Sequence, residues 1–276
     1  MHGHAISQRE ILPQRTKGTA RLTAKTVDAR TRLDVFFQEG SAKIRIPQSY
    51  DGRMEAVLIN TSGGLTGGDR ISWQVDAGAG SHLTVTTQAC ERIYKSSGGH
   101  AEVNTVLKVG ADAALHWLPQ ETILFDHGAL KRTLDVDLDE NAEFIGLEAV
   151  LLGRKAMGER VASGLFRDRW RIRRNGTLIH AEDVCLSGDI IALTEKSPVL
   201  AGHQAFATLF YCGSRGEALL GRLRGLFGEA LAGASHWNGK LIARLVADEA
   251  YDLRKMLIPA ISLLRNGDPP PKVWSL

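Results

Sequence analysis

Alternation of apolar and polar positions with a period of two dominates the first three quarters of the chain. Leu33, Val35 and Phe37 alternate with Asp34, Phe36 and Gln38. Val103, Thr105, Leu107 and Val109 alternate with Glu102, Asn104, Val106 and Lys108. In Leu134-Asp135-Val136-Asp137-Leu138-Asp139 three apolar side chains share one face and three carboxylates the other. Such runs predict strands with one buried face. In Arg167-Asp168-Arg169-Trp170-Arg171-Ile172-Arg173-Arg174 the same spacing sets Arg169, Arg171 and Arg173 against Trp170 and Ile172. A solvated strand face is the simplest reading of those arginines, and a partner-binding face is the alternative.

Glycine-rich turns separate the runs, at Gly63-Gly64, Gly67-Gly68, Asp76 to Gly80 and Ser96 to Gly99. Asn175-Gly176 between Trp170-Ile172 and Leu178-Ile179 predicts a tight hairpin, because Asn-Gly accepts positive φ at both central positions. The whole reads as mainly β, and periodicity alone leaves sandwich, barrel and stack open.

The period changes after Tyr211. Ser214-Arg215-Gly216-Glu217 has the form of a capping box. Leu219, Leu220, Leu223, Leu226, Phe227 and Ala230 follow at helical spacing, predicting a helix over 214–232. After a turn over 233–239, Leu241, Ala243 and Leu245 alternate as one more strand. Asp248 is the expected N-cap of a second helix over 248–265, with Leu253, Met256, Leu257, Ala260, Ile261 and Leu264 as its stripe and Pro259 as an expected kink. Residues 1–276 read as one domain, with 1–17 expected to be a flexible tail.

Composition narrows the function. The chain of 276 residues carries a formal net charge of +3, too small and dispersed for a nucleic-acid partner. Cys90, Cys185 and Cys212 are odd in number and widely spaced, which suits a reducing, cytoplasmic setting better than a disulfide framework. The start Met1-His2-Gly3-His4-Ala5-Ile6 has no apolar signal region, and no apolar run reaches the ~20 residues a membrane helix needs.

No catalytic signature emerges. Gly63 and Gly68 have the spacing of a phosphate-binding loop, but Asp69-Arg70 stands where Lys-Ser/Thr is required, so a tight structural turn is the better reading. No nucleophile elbow and no zinc-protease motif occurs. The histidines from His82 to His236 are scattered singly. His2 and His4 could grip a divalent metal, although a terminal tail is the plainer reading. Five carboxylates stand out beside apolar stretches: Glu121, Asp126, Glu148, Glu159 and Glu182. Glu148, within Phe144 to Leu152, must be paired, hydrated or metal-bound if it is buried. Arg154 or another cation, a wet cavity, and an exposed edge are the three possibilities.

Four motifs add a resemblance. Thr61-Ser62-Gly63-Gly64-Leu65-Thr66-Gly67-Gly68-Asp69, Thr86-Thr87-Gln88-Ala89-Cys90-Glu91-Arg92-Ile93-Tyr94-Lys95-Ser96, His116-Trp117-Leu118-Pro119-Gln120-Glu121-Thr122-Ile123-Leu124-Phe125 and Leu152-Gly153-Arg154-Lys155-Ala156-Met157-Gly158-Glu159 resemble, in order, segments of the UreD (UreH) family of urease accessory proteins. Glu91-Arg92 departs from the family pattern by adding a carboxylate. The resemblance, running from about Gly18 to Leu276, implies a mainly-β, stacked-sheet or β-helix-like fold with two C-terminal α-helices. It implies a non-enzymatic maturation chaperone that binds UreF, the GTPase UreG through that complex, and the urease apoprotein. No cofactor is expected to be held tightly. Ni²⁺ in transit is expected, with Glu148, Glu159, Glu182, Glu121 and Asp126 lining a passage. Oxygen ligands suit transit because imidazole and thiolate hold Ni²⁺ harder. The C-terminal helices are candidates for the UreF surface. A cryptic enzyme site and a β-sandwich protein-binding module without a metal role are the rival readings.

Overall fold

The computed structural model describes residues 14–154 and 157–275, and the strands fall into two stacked sheets. The first has the order β14 (Thr177–Asp189), β13 (Ser163–Arg174), β11 (Ala129–Leu138), β8 (Ala101–Val109), β5 (Arg70–Ala77), β1 (Lys17–Val27), β2 (Arg30–Gly40). The second has the order β16 (Ala232–Trp237), β17 (Lys240–Ala247), β15 (Ala205–Cys212), β12 (Glu143–Leu152), β9 (Ala114–Leu118), β6 (His82–Thr87), β4 (Met54–Asn60), β3 (Ala42–Arg45). The short strands β7 (Glu91–Ile93) and β10 (Thr122–Leu124) attach to β12 and make a narrow third side.

From β4 to β13 the chain alternates between the sheets, and like strands pair in parallel. This is a stack of β-coils, as the stacked-sheet expectation held. Arg70, Glu102, Lys131 and Arg167 lie in register, 32, 29 and 36 residues apart. The repeat is therefore real but has no fixed period, which hid it in the sequence. Its signature is at the corners. Gly80, Asp112 and Asn141 all have positive φ, near 60°. Each is followed by a small buried residue, Ser81, Ala113 or Ala142. The positive φ turns the chain into the next strand, and only a small side chain fits beneath the following coil. Backbone bonds then join one corner to the next, from Gly110 N to Ala77 O at 2.8 Å and from Asp139 N to Val109 O at 2.9 Å. On the third side Leu65, Ile93, Leu124 and Leu152 form a buried apolar column.

The predicted hairpin at Asn175-Gly176 joins β13 to β14, with φ of 47° and 75°. The interval 233–239 differs from the expected turn. β16 runs through Trp237, and the turn is Asn238-Gly239, again with φ of 47° and 71°. Two helices pack on the outer face of the second sheet: α2 (Gly216–Phe227) and α3 (Ala250–Leu264). Both are shorter than expected, because Gly228 at φ 54° ends α2 and Ala232 already begins β16. A one-turn helix, α1 (Ile190–Thr194), was not foreseen; Asp189 caps it by accepting from Ala192 N at 2.9 Å. Neither predicted cap forms. Arg215 holds the N-cap position of α2 without a side-chain cap bond, and Asp248 instead accepts from His203 Nδ1 at 2.7 Å. Helix α3 runs through Pro259 as one element.

Two apolar cores result, one between the sheets and one between the second sheet and the helices. β2 departs from the half-buried expectation. It is an edge strand with a bulge opposite Thr23 and Ala24, and Leu33, Val35, Phe36 and Phe37, from both of its faces, are all more than 40% exposed. Residues 1–13 of the expected tail lie outside the described part. Thr16 is held, its N–H donating to Asp69 Oδ1 at 2.8 Å, and Lys17 already belongs to β1.

The glycine cluster is structural. A Cβ on Gly67 would lie 2.0 Å from Ser96 Oγ and 2.1 Å from Gly98 O in the next coil, whereas one on Gly98 would meet nothing within 4 Å. Gly67→Ala is expected to lower unfolding stability by about 1–3 kcal/mol, the range of an overpacked interior. Gly98→Ala should change it by less than about 0.5 kcal/mol. Urea unfolding of both variants checks this, and equal effects would refute the stacking argument.

Candidate functional site

Three charged residues break the apolar phase of strands that face the inter-sheet core. Arg132 interrupts Leu130, Leu134 and Val136 on β11; Asp168 interrupts Phe166, Trp170 and Ile172 on β13; Glu148 interrupts Phe144, Gly146 and Val150 on β12. All three are under 10% exposed. The fold brings them together. Arg132 Nε and Nη2 donate to Asp168 Oδ1 and Oδ2 at 3.1 and 2.9 Å, and Nη1 donates to Thr122 Oγ1 at 3.0 Å and forms an ion pair with Glu148 Oε2. The Trp117 indole N–H donates to Glu148 Oε1 and the Trp170 indole N–H to Asp168 Oδ2, both at 3.1 Å. Burial pushes the Glu148 carboxyl up to about 7; Arg132 opposes the rise and Asp168 adds to it. Glu91, hydrogen-bonded by Asn60, is likewise raised to about 7 by burial, with Arg132 again opposing. Thus the cation that pairs with Glu148 is Arg132. Arg154 pairs with Glu159 instead, at 2.7 Å.

The charges continue toward β14 and β17. Cross-strand register places Glu148 beside Thr208, and Thr208 beside Arg244. Opposite them Trp170 pairs with Glu182 on β14. Glu182 accepts from Arg244 Nη2 at 2.8 Å and contacts His180 Nε2 at 3.3 Å. Burial works against its ionisation, but the hydrogen bonds from His180 and Arg244 outweigh it and hold the carboxyl down at about 2. Arg244 also bonds Thr208 and is about half exposed. It borders three open cavities of about 630, 440 and 380 Å³, the first with His180 and Lys240, the second with Cys185 and Thr208, the third with His203 and Leu231. A charged stripe therefore crosses an otherwise apolar interior, from Asn60 and Glu91 through Arg132, Glu148 and Asp168 to Glu182 and Arg244.

The remaining carboxylates singled out in the sequence lie elsewhere. Glu121 is 1% exposed and turned toward the helices, where Arg254 of α3 holds it at 2.6 and 2.8 Å. Burial opposes its charge, yet the Arg254 bonds win and lower its pKa. Asp126 accepts from Ala162 N and Ser163 N at 2.8 and 3.1 Å; burial raises its pKa less than these bonds lower it. Glu159, lowered chiefly by its bond from Arg154, sits at the same surface corner. Arg132, Asp168 and Glu91 were missed in the sequence. The detectable signal was a charge in the apolar phase of each flanking alternation. Among the described residues no three His, Cys, Asp or Glu side chains cluster to cage a metal, and no helix is long and apolar enough to cross a membrane.

The molecule is thus a stacked β-coil protein with a charged seam between its sheets and a helical layer on one side. The UreD urease accessory protein family matches residues 16–275. The chain is 61% identical over 264 residues to the urease accessory protein UreD of Rhizobium leguminosarum bv. viciae, covering 96% of this chain and 97% of the relative. It is 57% identical over 270 residues to that of Agrobacterium fabrum, covering 98% and 95%. It belongs to the UreD family of urease accessory proteins.

Two stability tests follow from the ion pairs. Arg254→Ala leaves Glu121 buried without its cation and is expected to cost about 3–5 kcal/mol in urea unfolding; a loss below 1 kcal/mol would contradict the burial. Glu148 has a folded pKa above its unfolded value near 4.3, so its contribution to stability falls as pH rises from about 4 to about 7. The stability of Glu148→Gln relative to the wild type should therefore grow over that interval. A constant difference would place the Glu148 pKa elsewhere.

Proposed function

We propose that this chain is a non-catalytic scaffold in urease maturation and that Ni²⁺ crosses it between the sheets on the way to the urease apoprotein. The observation that carries the reading is the charged stripe, which breaks the apolar phase of several strands at one level of the stack. A polar seam through a core costs stability, so its retention calls for a use. Carboxylate and hydroxyl oxygens bind Ni²⁺ more weakly than imidazole or thiolate and release it readily, which suits a cargo in transit.

Glu148 and Glu182 carry the passage in this reading, and Arg244 marks one of its mouths. Glu121, Asp126 and Glu159 hold helices and corners, so their replacement acts on stability. UreF and UreG complete the delivery complex in the cytoplasm. The outward apolar side chains Leu226, Tyr251 and Ile258 on α2 and α3 are offered as the UreF contact, since exposed apolar side chains on a packed helical layer invite a partner.

The test is urease activity and urease-bound nickel in cells expressing urease with its accessory proteins. Glu148→Gln and Glu182→Gln should each lower both several-fold while this chain still co-purifies with UreF. Glu159→Ala, at the surface corner, should leave activation close to wild type. Full activation by the Glu148→Gln, Glu182→Gln double variant would remove the passage from between the sheets.

A further inference from the structure

Each inner carboxylate accepts one indole N–H, and both turn toward the same guanidinium, Asp168 Oδ2 accepting from Trp170 and from Arg132. Glu148 Oε1 accepts from Trp117 and Asp168 Oδ2 from Trp170. Glu148 Oε2 faces Arg132 Nη1 as an ion pair but accepts no hydrogen bond, although it is buried. The Thr122 hydroxyl is the fourth oxygen on the guanidinium, beside both oxygens of Asp168 and Oε2 of Glu148. Donors that fix the orientation of carboxylates are what orient ligands around a metal ion. Here the place such an ion would take is filled by a side chain.

We propose that Arg132 is a tethered cation occupying a latent divalent-metal site formed by Glu148, Asp168 and Thr122, and that it keeps the seam from retaining nickel. The inference rests on the passage reading above. Charge arithmetic supports it. With Arg132 present, a divalent ion beside two carboxylates would leave an excess positive charge in an apolar interior, which is costly to bury. With Arg132 absent, the same ion and the two carboxylates neutralise each other. A permanently charged guanidinium suits this role because it does not lose its proton. The alternative is a buried ion pair that only holds the sheets together. That alternative predicts lost stability on replacement and no gain in metal binding.

The experiment is equilibrium dialysis of radioactive Ni²⁺ against the complex co-purified with UreF. Arg132→Gln, and Arg132→Met as a second variant that refills the volume with an apolar chain, should each retain about one additional nickel per chain, following the single site described. Adding Glu148→Gln should abolish that retention, and urease from the Arg132→Gln cells should contain less nickel. Co-purified variants that retain no more nickel than wild type would overturn the proposal. So would a wild-type complex holding nickel at a site that Glu148→Gln removes, a measurement that needs no Arg132 variant. Failure of the passage reading shows differently, as full urease activation by the double variant Glu148→Gln, Glu182→Gln, and does not affect what the Arg132 variants bind.

Discussion

The two sheets meet across one buried guanidinium. Arg132 and Asp168 come from the first sheet and Glu148 from the second, and all three lie in the apolar core between the sheets. A pair of this kind adds little net stability, because desolvation offsets attraction. What it does fix is register. Sliding β11 by one residue would turn Arg132 outward and leave two carboxylates buried without a cation. Apolar side chains tolerate small shifts, but this triad does not. The position of one sheet over the other, and with it the line from Glu91 to Arg244, follows from that restriction.

The helical layer is fastened by the same chemistry. Arg254 of α3 grips Glu121 and stacks on Trp274, while Arg215 at the start of α2 bonds both Glu143 of β12 and the Leu264 carbonyl at the end of α3. The sequence showed these arginines only as polar positions on amphipathic helices. Their carboxylate partners are 72 and 133 residues away, and no local pattern announces pairing at that distance.

Much of the fold was legible nonetheless. Alternation gave β2, β8, β11, β13 and β17, Asn175-Gly176 gave its hairpin, and helical spacing gave α2 and α3, because each depends on near neighbours. The coil repeat was not legible, since its corners share a backbone conformation rather than residues: Gly80, Asp112 and Asn141 do the same work. β2 was misjudged because alternation reports amphipathicity and says nothing about whether another layer lies over the strand. Of the site, Glu148 and Glu182 were visible as carboxylates in apolar surroundings. Arg132 was not, because Leu130-Lys131-Arg132-Thr133-Leu134 looks like an ordinary solvated stretch until Leu130 and Leu134 are placed on one face.

Trp274 makes the helical layer depend on contacts far apart in the chain. Its indole N–H donates to the Leu118 carbonyl, 156 residues earlier, and its ring is buried beside Arg254. Successive coils pair across 29 to 36 residues, whereas the helical layer is anchored across 156 residues at Trp274 and 133 at Arg254. Closing that layer over the second sheet therefore carries a larger loop-closure entropy than adding a coil.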